Sequence, residues 1–198
     1  MVDIKKENYN DQLETMIEIM GDEDFNKRPK EKLLMLGLDN SGKTSIVLSL
    51  KGGENLLSYY SLKPTKGIEI NQMEEEDKNF YVWDFGGQKK FRKEYLKDFE
   101  TKAKNAKKLI YVIDIQDFEK INDSMDYFRN IISFSTIKKM EILVFLHKFD
   151  PAIEVDPNHP VHNKIRELIP KIEEILQSHP RYKIFKTSIY TTFRKLEV

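Results

Sequence analysis

The chain contains no cysteine, which excludes disulfides, thiolate zinc sites, prenylation and palmitoylation together. It carries no net charge, because 33 lysines and arginines are matched by 33 aspartates and glutamates. No overall field therefore draws it to nucleic acid. No apolar run approaches the ~20 residues that a membrane span needs, and the N-terminus lacks a signal-peptide core. Val2 stands where N-myristoylation requires glycine. These absences predict a cytoplasmic protein whose contact with any membrane is peripheral. What remains is 198 residues, 39% hydrophobic and 33% charged, enough for one domain with a substantial core.

The first thirty residues are polar and acidic, but Leu13, Met16, Ile17 and Met20 recur at helical spacing before Gly21. Residues 1–30 are thus expected to form an extension with a short amphipathic helix. Its acidic flank, Asp11, Glu14 and Glu18, suits packing on protein better than on lipid. From residue 31 to 198 a single domain is expected. Strand patterns at 33–37, 67–73, 79–84, 109–115, 142–147 and 182–187 alternate with helical patterns at 43–51, 89–103, 121–137 and 162–178. Only the second and third strands follow one another directly, across the polar link 74–78, as an antiparallel hairpin. The fold class is α/β: a six-stranded, mostly parallel sheet with one antiparallel edge strand and helices on both faces, of the P-loop NTPase type by the G-x-x-x-x-G-K-T pattern of residues 37–44. In such sheets ligands sit beyond the carboxyl ends of strands.

The chemistry lies at those ends. Residues 37–44 read GLDNSGKT after an apolar strand, a phosphate-binding loop in the strand–loop–helix setting it requires. Backbone N–H groups from Asp39, Asn40, Ser41, Gly42 and Ser45 can close around phosphate, Lys43 can reach the β and γ oxygens, and the Thr44 hydroxyl can coordinate Mg²⁺. After the third strand, Asp84 in WDFGGQ can hold the Mg²⁺, usually through a water. Gly87 can donate its N–H to a terminal phosphate, and Gln88 can orient a water for in-line attack. Thr65 in PTKG offers a second hydroxyl to Mg²⁺ from a long polar loop, a contact made only while a γ-phosphate holds that loop. In HKFD, Asp150 can accept from the N1–H and the exocyclic amine of guanine while the Lys148 stem covers the base. Ser188 and Ile189 in TSI can offer a backbone N–H to the guanine carbonyl. Taken alone, Asp150 reads better as an ordinary loop carboxylate.

Together GLDNSGKT, PT-x-G, WDFGGQ, HKFD and TSIY occur in the order and spacing of the small GTPases, over residues 32 to about 190. The first three resemble the Arf and Arf-like branch. HKFD and TSIY resemble the Rag/Gtr branch, with His147 where most GTPases carry asparagine. The resemblance implies a GTP-binding domain over 31–198 that switches between GTP and GDP and hydrolyses GTP slowly, with Gln88 as the catalytic residue. It also implies Thr44 and Thr65 on Mg²⁺, Asp84 behind them, and Lys148, Asp150 and Ser188 on guanine. Exchange factors, activating proteins and effectors in trafficking or nutrient-type signalling are the implied partners, with a homo- or heterodimer as a further option. Departures include Lys66, where Arf proteins are apolar, His147, and only eight residues after Tyr190.

Other readings compete. One is a nucleotide-stabilised scaffold with negligible hydrolysis, in a Rag-like dimer; another is a P-loop ATPase or small-molecule kinase. Phe91 and Tyr95 after Gln88 suit either the core or a partner surface. Trp83 suits a partner-facing position or a half-buried one. His159 and His162 in the proline-rich stretch 151–160 read as loop residues, since two imidazoles without a third ligand make a poor metal site.

Overall fold

A computed structural model describes residues 31–51, 62–75 and 78–189. The expected extension 1–30 with its helix at 13–20, residues 52–61 of the long polar loop and the C-terminal residues 190–198 lie outside the described residues. Six strands form one sheet: β1 (Glu31–Gly37), β2 (Ile68–Glu75), β3 (Lys78–Phe85), β4 (Ala106–Asp114), β5 (Glu141–His147) and β6 (Tyr182–Thr187). Their order is β2-β3-β1-β4-β5-β6, and only the β2–β3 pairing is antiparallel. This is the sheet expected from the sequence, including its antiparallel edge strand.

The helices among the described residues are α1 (Lys43–Leu50), α2 (Lys89–Lys97), α3 (Phe99–Ala103), α4 (Ile121–Ile132), α5 (Pro151–Val155) and α6 (Pro160–Leu176). Alternate residues of β1 point to opposite faces. Leu34 and Leu36 join α3, α4 and α6 in one core cluster, whereas Leu33 and Met35 join Ile46 and Val47 of α1 in the other. Strand β4 is buried from Lys108 to Ile113 without interruption, as a central parallel strand covered on both faces must be. Each large aliphatic side chain among them contributes roughly 1.5–3 kcal/mol by leaving water.

Three helical expectations need correction. The expected helix 89–103 breaks at Asp98, whose backbone leaves the helical region and starts α3, while its carboxylate pairs with Lys102. The expected helix 121–137 ends at Ile132. The Ser133 hydroxyl donates back to the Asn130 carbonyl, and the Glu100 carboxylate accepts the Ser135 amide at 2.9 Å, starting a 3₁₀ turn. The stretch read as a loop at 151–160 holds α5, which Pro151 opens at its first position. His159 then caps α6 by accepting the Val161 amide, and His162 Nε2 meets the carbonyls of Ile153 and Asp156.

Tyr95 is buried, in contact with the larger core cluster, so the surface option for it is excluded. Trp83 is half-buried, and the Lys32 ammonium lies 3.4 Å from its ring centroid, a cation–π contact that covers one side of the ring.

Candidate functional site

Gly42 ends the phosphate loop as the N-cap of α1 with φ +95°. A side chain there would meet a wall, because an added Cβ would lie 2.5 Å from His147 Cδ2 and 2.7 Å from Nε2. Gly87 is equally confined: its Cβ would fall 2.2 Å from the Asp39 nitrogen. The end of β3 therefore lies directly against the phosphate loop. Between them opens a cavity of about 200 Å³. Asp39, Asn40, Gly42, Lys43, Thr44 and Ser45 line one side, and Thr65, Gly87 and Gln88 line the other. Ser41 does not line it; its buried hydroxyl instead accepts from Lys43 Nζ at 3.4 Å.

Lys43 Nζ donates to the Leu38 carbonyl at 2.6 Å. Burial lowers its pKa to about 8, against the opposing pull of Asp84 and Asp39. The loop thus holds an ammonium group that is short of countercharge, which suits it to an anion.

Thr44, Thr65 and Asp84 come from α1, the segment before β2 and the end of β3. Their oxygens form one triangle: Thr44 Oγ1 is 2.9 Å from Thr65 Oγ1, and the two hydroxyls lie 2.7 and 3.2 Å from Asp84 Oδ2. Burial raises the Asp84 pKa, with the Thr44 hydrogen bond and Lys43 opposing. Its second oxygen, Oδ1, is buried without a hydrogen-bond partner among the described residues. Leaving such an oxygen unpaired costs about 1–3 kcal/mol or more. A hard cation such as Mg²⁺ with its water satisfies this donor set of two hydroxyls and a carboxylate, so the residues fit the ion.

The base loop follows β5. His147 is buried, and its Nδ1 is 3.0 Å from Thr187 Oγ1. Burial first, and then the Lys148 charge, lower its pKa to about 4, so the ring is neutral. Asp150 Oδ1 accepts from Ser188 Oγ at 2.5 Å, and Oδ2 accepts from Gln116 Nε2 at 2.9 Å. Lys148 Nζ pairs with Asp114 Oδ2 at 2.6 Å. Ile189 packs its side chain against the smaller core cluster. The base-loop residues do not line the cavity; they adjoin it where His147 meets Gly42.

Residues 16–194 match the ADP-ribosylation factor family, Arf. The chain belongs to that family. Arf-family proteins are small GTPases, so this one is a GTP-binding switch and a GTPase of a class that works with effectors, activating proteins and exchange factors. Among solved structures, the Arl6 BBS3 small GTPase from Trypanosoma brucei, with bound nucleotide analogue GppNp, is similar in fold. The TM-score is 0.62 at 24% identity, over 81% of this chain and 87% of that one.

In this Arf-family chain, Gln116 and Asp114 escape a reading by motif. They stand at the carboxyl end of β4, the neighbour of β5 in the sheet, and that adjacency was the available signal. Gln116 Nε2 also donates to the Lys148 carbonyl at 2.7 Å, so one amide orients both the backbone and the carboxylate of the base loop. A carboxylate held in this way can accept from a base that donates twice, as guanine does and adenine does not. In competition against labelled GDP, ATP is expected to displace at least a hundredfold less effectively than GTP. Displacement by ATP at a similar concentration would favour the ATPase or kinase reading instead.

Proposed function

We propose that the chain is a Mg²⁺-dependent GTP/GDP switch that hydrolyses GTP slowly unless an activating partner intervenes. The observation that carries this is the triangle of Thr44, Thr65 and Asp84 at the cavity that Gln88 borders. On this reading the phosphate-loop amides from Asp39 to Ser45 and the Lys43 ammonium hold the phosphates. Thr44 and Thr65 bind the cation, with Asp84 behind them. When bound, Mg²⁺ neutralises charge on the β and γ oxygens. The Gly87 N–H meets the γ-phosphate, and Gln88 turns a water into line with it. Asp150, Lys148, Ser188 and the Ile189 backbone read guanine, while neutral His147 props the base loop against Gly42.

Slow turnover is inferred from the arginines. None of those among the described residues lines the cavity, and the Arg92 guanidinium lies 5.0 Å from the Tyr127 ring centroid instead. An arginine supplied by a partner contributes about 10³–10⁵ in rate in this class. The His147-Lys148-Phe149-Asp150 and Thr187-Ser188 segments support a Rag-like base site on an Arf-family frame. Partners in trafficking or nutrient-type signalling, a dimer, and a cytoplasmic location peripheral to a membrane belong to the same proposal, as does an N-terminal extension over 1–30.

Single-turnover hydrolysis tests the reading. Gln88→Leu is expected to slow cleavage of bound GTP at least tenfold while GDP affinity stays within twofold. Equal rates in variant and parent would remove Gln88 from the chemistry. GTP that survives for days in the parent with Mg²⁺ present would favour the scaffold reading.

A further inference from the structure

The two segments that would meet the terminal phosphate are joined by a contact that no motif describes. The Gly67 carbonyl, just after Thr65, accepts twice: from the Gly86 N–H at 2.9 Å and from the Tyr95 hydroxyl at 2.5 Å. Gly86 immediately precedes Gly87, and Tyr95 stands on α2, whose N-cap is Gln88. At Gly86 the backbones touch so closely that an added Cβ would lie 2.3 Å from the Thr65 carbonyl oxygen.

Tyr95 is itself held firmly. It is 3% exposed, its ring meets Phe85 edge-on at 5.1 Å, and it stacks with Phe91 at 6.5 Å. Burial pushes its pKa up to about 12, so the hydroxyl remains a donor at any working pH. A phenylalanine would satisfy the packing alone. The hydroxyl adds a single directed bond to the backbone of the other segment.

We propose that Tyr95 is a positioning residue. Through the Gly67 carbonyl its hydroxyl locks the Thr65 segment to the Gly87–Gln88 segment, so that both engage a terminal phosphate as one unit. The inference rests on the functional reading above. Thr65 is expected to contact the cation only in the triphosphate state, so a lost lock must weaken triphosphate retention and spare diphosphate retention. A purely structural tyrosine would affect both nucleotides alike.

The test uses the full chain and its Tyr95→Phe variant, each loaded in Mg²⁺ with fluorescent GDP or a fluorescent non-hydrolysable GTP analogue. Release is followed after adding excess unlabelled nucleotide. The analogue is expected to leave the variant about fivefold to tenfold faster than the parent, the usual effect of one net hydrogen bond. GDP release should stay within twofold, and the unfolding midpoint of the GDP form within about 4 °C. Equal acceleration of both nucleotides, a variant that does not fold, or an unchanged analogue rate would each overturn the positioning role while leaving the switch reading intact. A parent that takes up neither nucleotide overturns the functional reading, and the positioning role with it.

Discussion

Gly42→Ala is expected to be among the most damaging single substitutions in this chain, although it adds only one methyl group. Two costs combine. The backbone at Gly42 has φ +95°, a region that strains any residue with a Cβ by about 1–3 kcal/mol. The new methyl would also lie 2.5 Å from the His147 ring. His147 has no room to retreat, being 3% exposed and tied to Thr187 Oγ1 at 3.0 Å, and overpacking of this kind costs about 1–3 kcal/mol. The sum of roughly 2–6 kcal/mol is a large part of a typical domain's net stability. It lowers the unfolding midpoint by about 5–20 °C. Because Gly42 is the N-cap of α1, the backbone shift also displaces the Lys43 and Thr44 positions, and GDP affinity is expected to fall at least tenfold. A double variant with His147→Ala separates the two costs. Removing the ring relieves the clash and leaves the φ strain, so the cycle should show favourable coupling of about 1–3 kcal/mol. Additive effects would show that the ring is not the obstacle, and a Gly42→Ala protein as stable as the parent would contradict both costs.

That contact also shows where sequence reasoning stops. The strands were legible because 33–36, 109–113 and 142–146 are continuous apolar runs, the pattern of strands covered on both faces. The polar link after β2 marked the hairpin. The phosphate loop and WDFGGQ were legible because their chemistry is carried by residues adjacent in sequence. Helix ends were less so. No glycine or proline marks the break at Asp98, and the end of α4 depends on Glu100, far along the chain, capturing the Ser135 amide. Pro151 after Asp150 was in fact a helix-start signal, obscured by the other prolines of its neighbourhood.

Contacts between elements were least legible. Gln116 reaches Asp150 only because β4 and β5 are neighbours in the sheet, and Tyr95 reaches Gly67 only because its ring packs on Phe85 at the end of β3. Periodicity assigned Tyr95 to a helix face but could not say whether its hydroxyl ended in solvent or on a backbone carbonyl. Three elements also had to converge before Thr44, Thr65 and Asp84 could form one donor set, although each had been singled out by its own motif. Local chemistry is written in neighbouring residues, and its coupling is written in topology.

The pH dependence of nucleotide binding exposes the same coupling from the side of charge. Burial lowers the Lys43 pKa from 10.5 to about 8, with Asp84 and Asp39 only partly compensating. Bound phosphates add negative charge beside the ammonium and raise that pKa, so above pH 8 binding must take up a proton. Affinity for GDP is therefore expected to be level between pH 6.5 and 7.5, and about tenfold weaker at pH 9. Stability of the nucleotide-free chain should move the other way. Its folded-state pKa lies below the unfolded value, so the unfolded chain holds more protons between about 8 and 10.5, and the Lys43 contribution to stability rises through that window. Guanine titrates in part of the same range, and Lys43→Arg provides the control: arginine stays protonated, so its profile reports the nucleotide alone. Calorimetry across this range should show the parent losing affinity more steeply than the arginine variant. Parallel profiles would mean that Lys43 keeps its proton in the empty loop and that burial there is offset by charge.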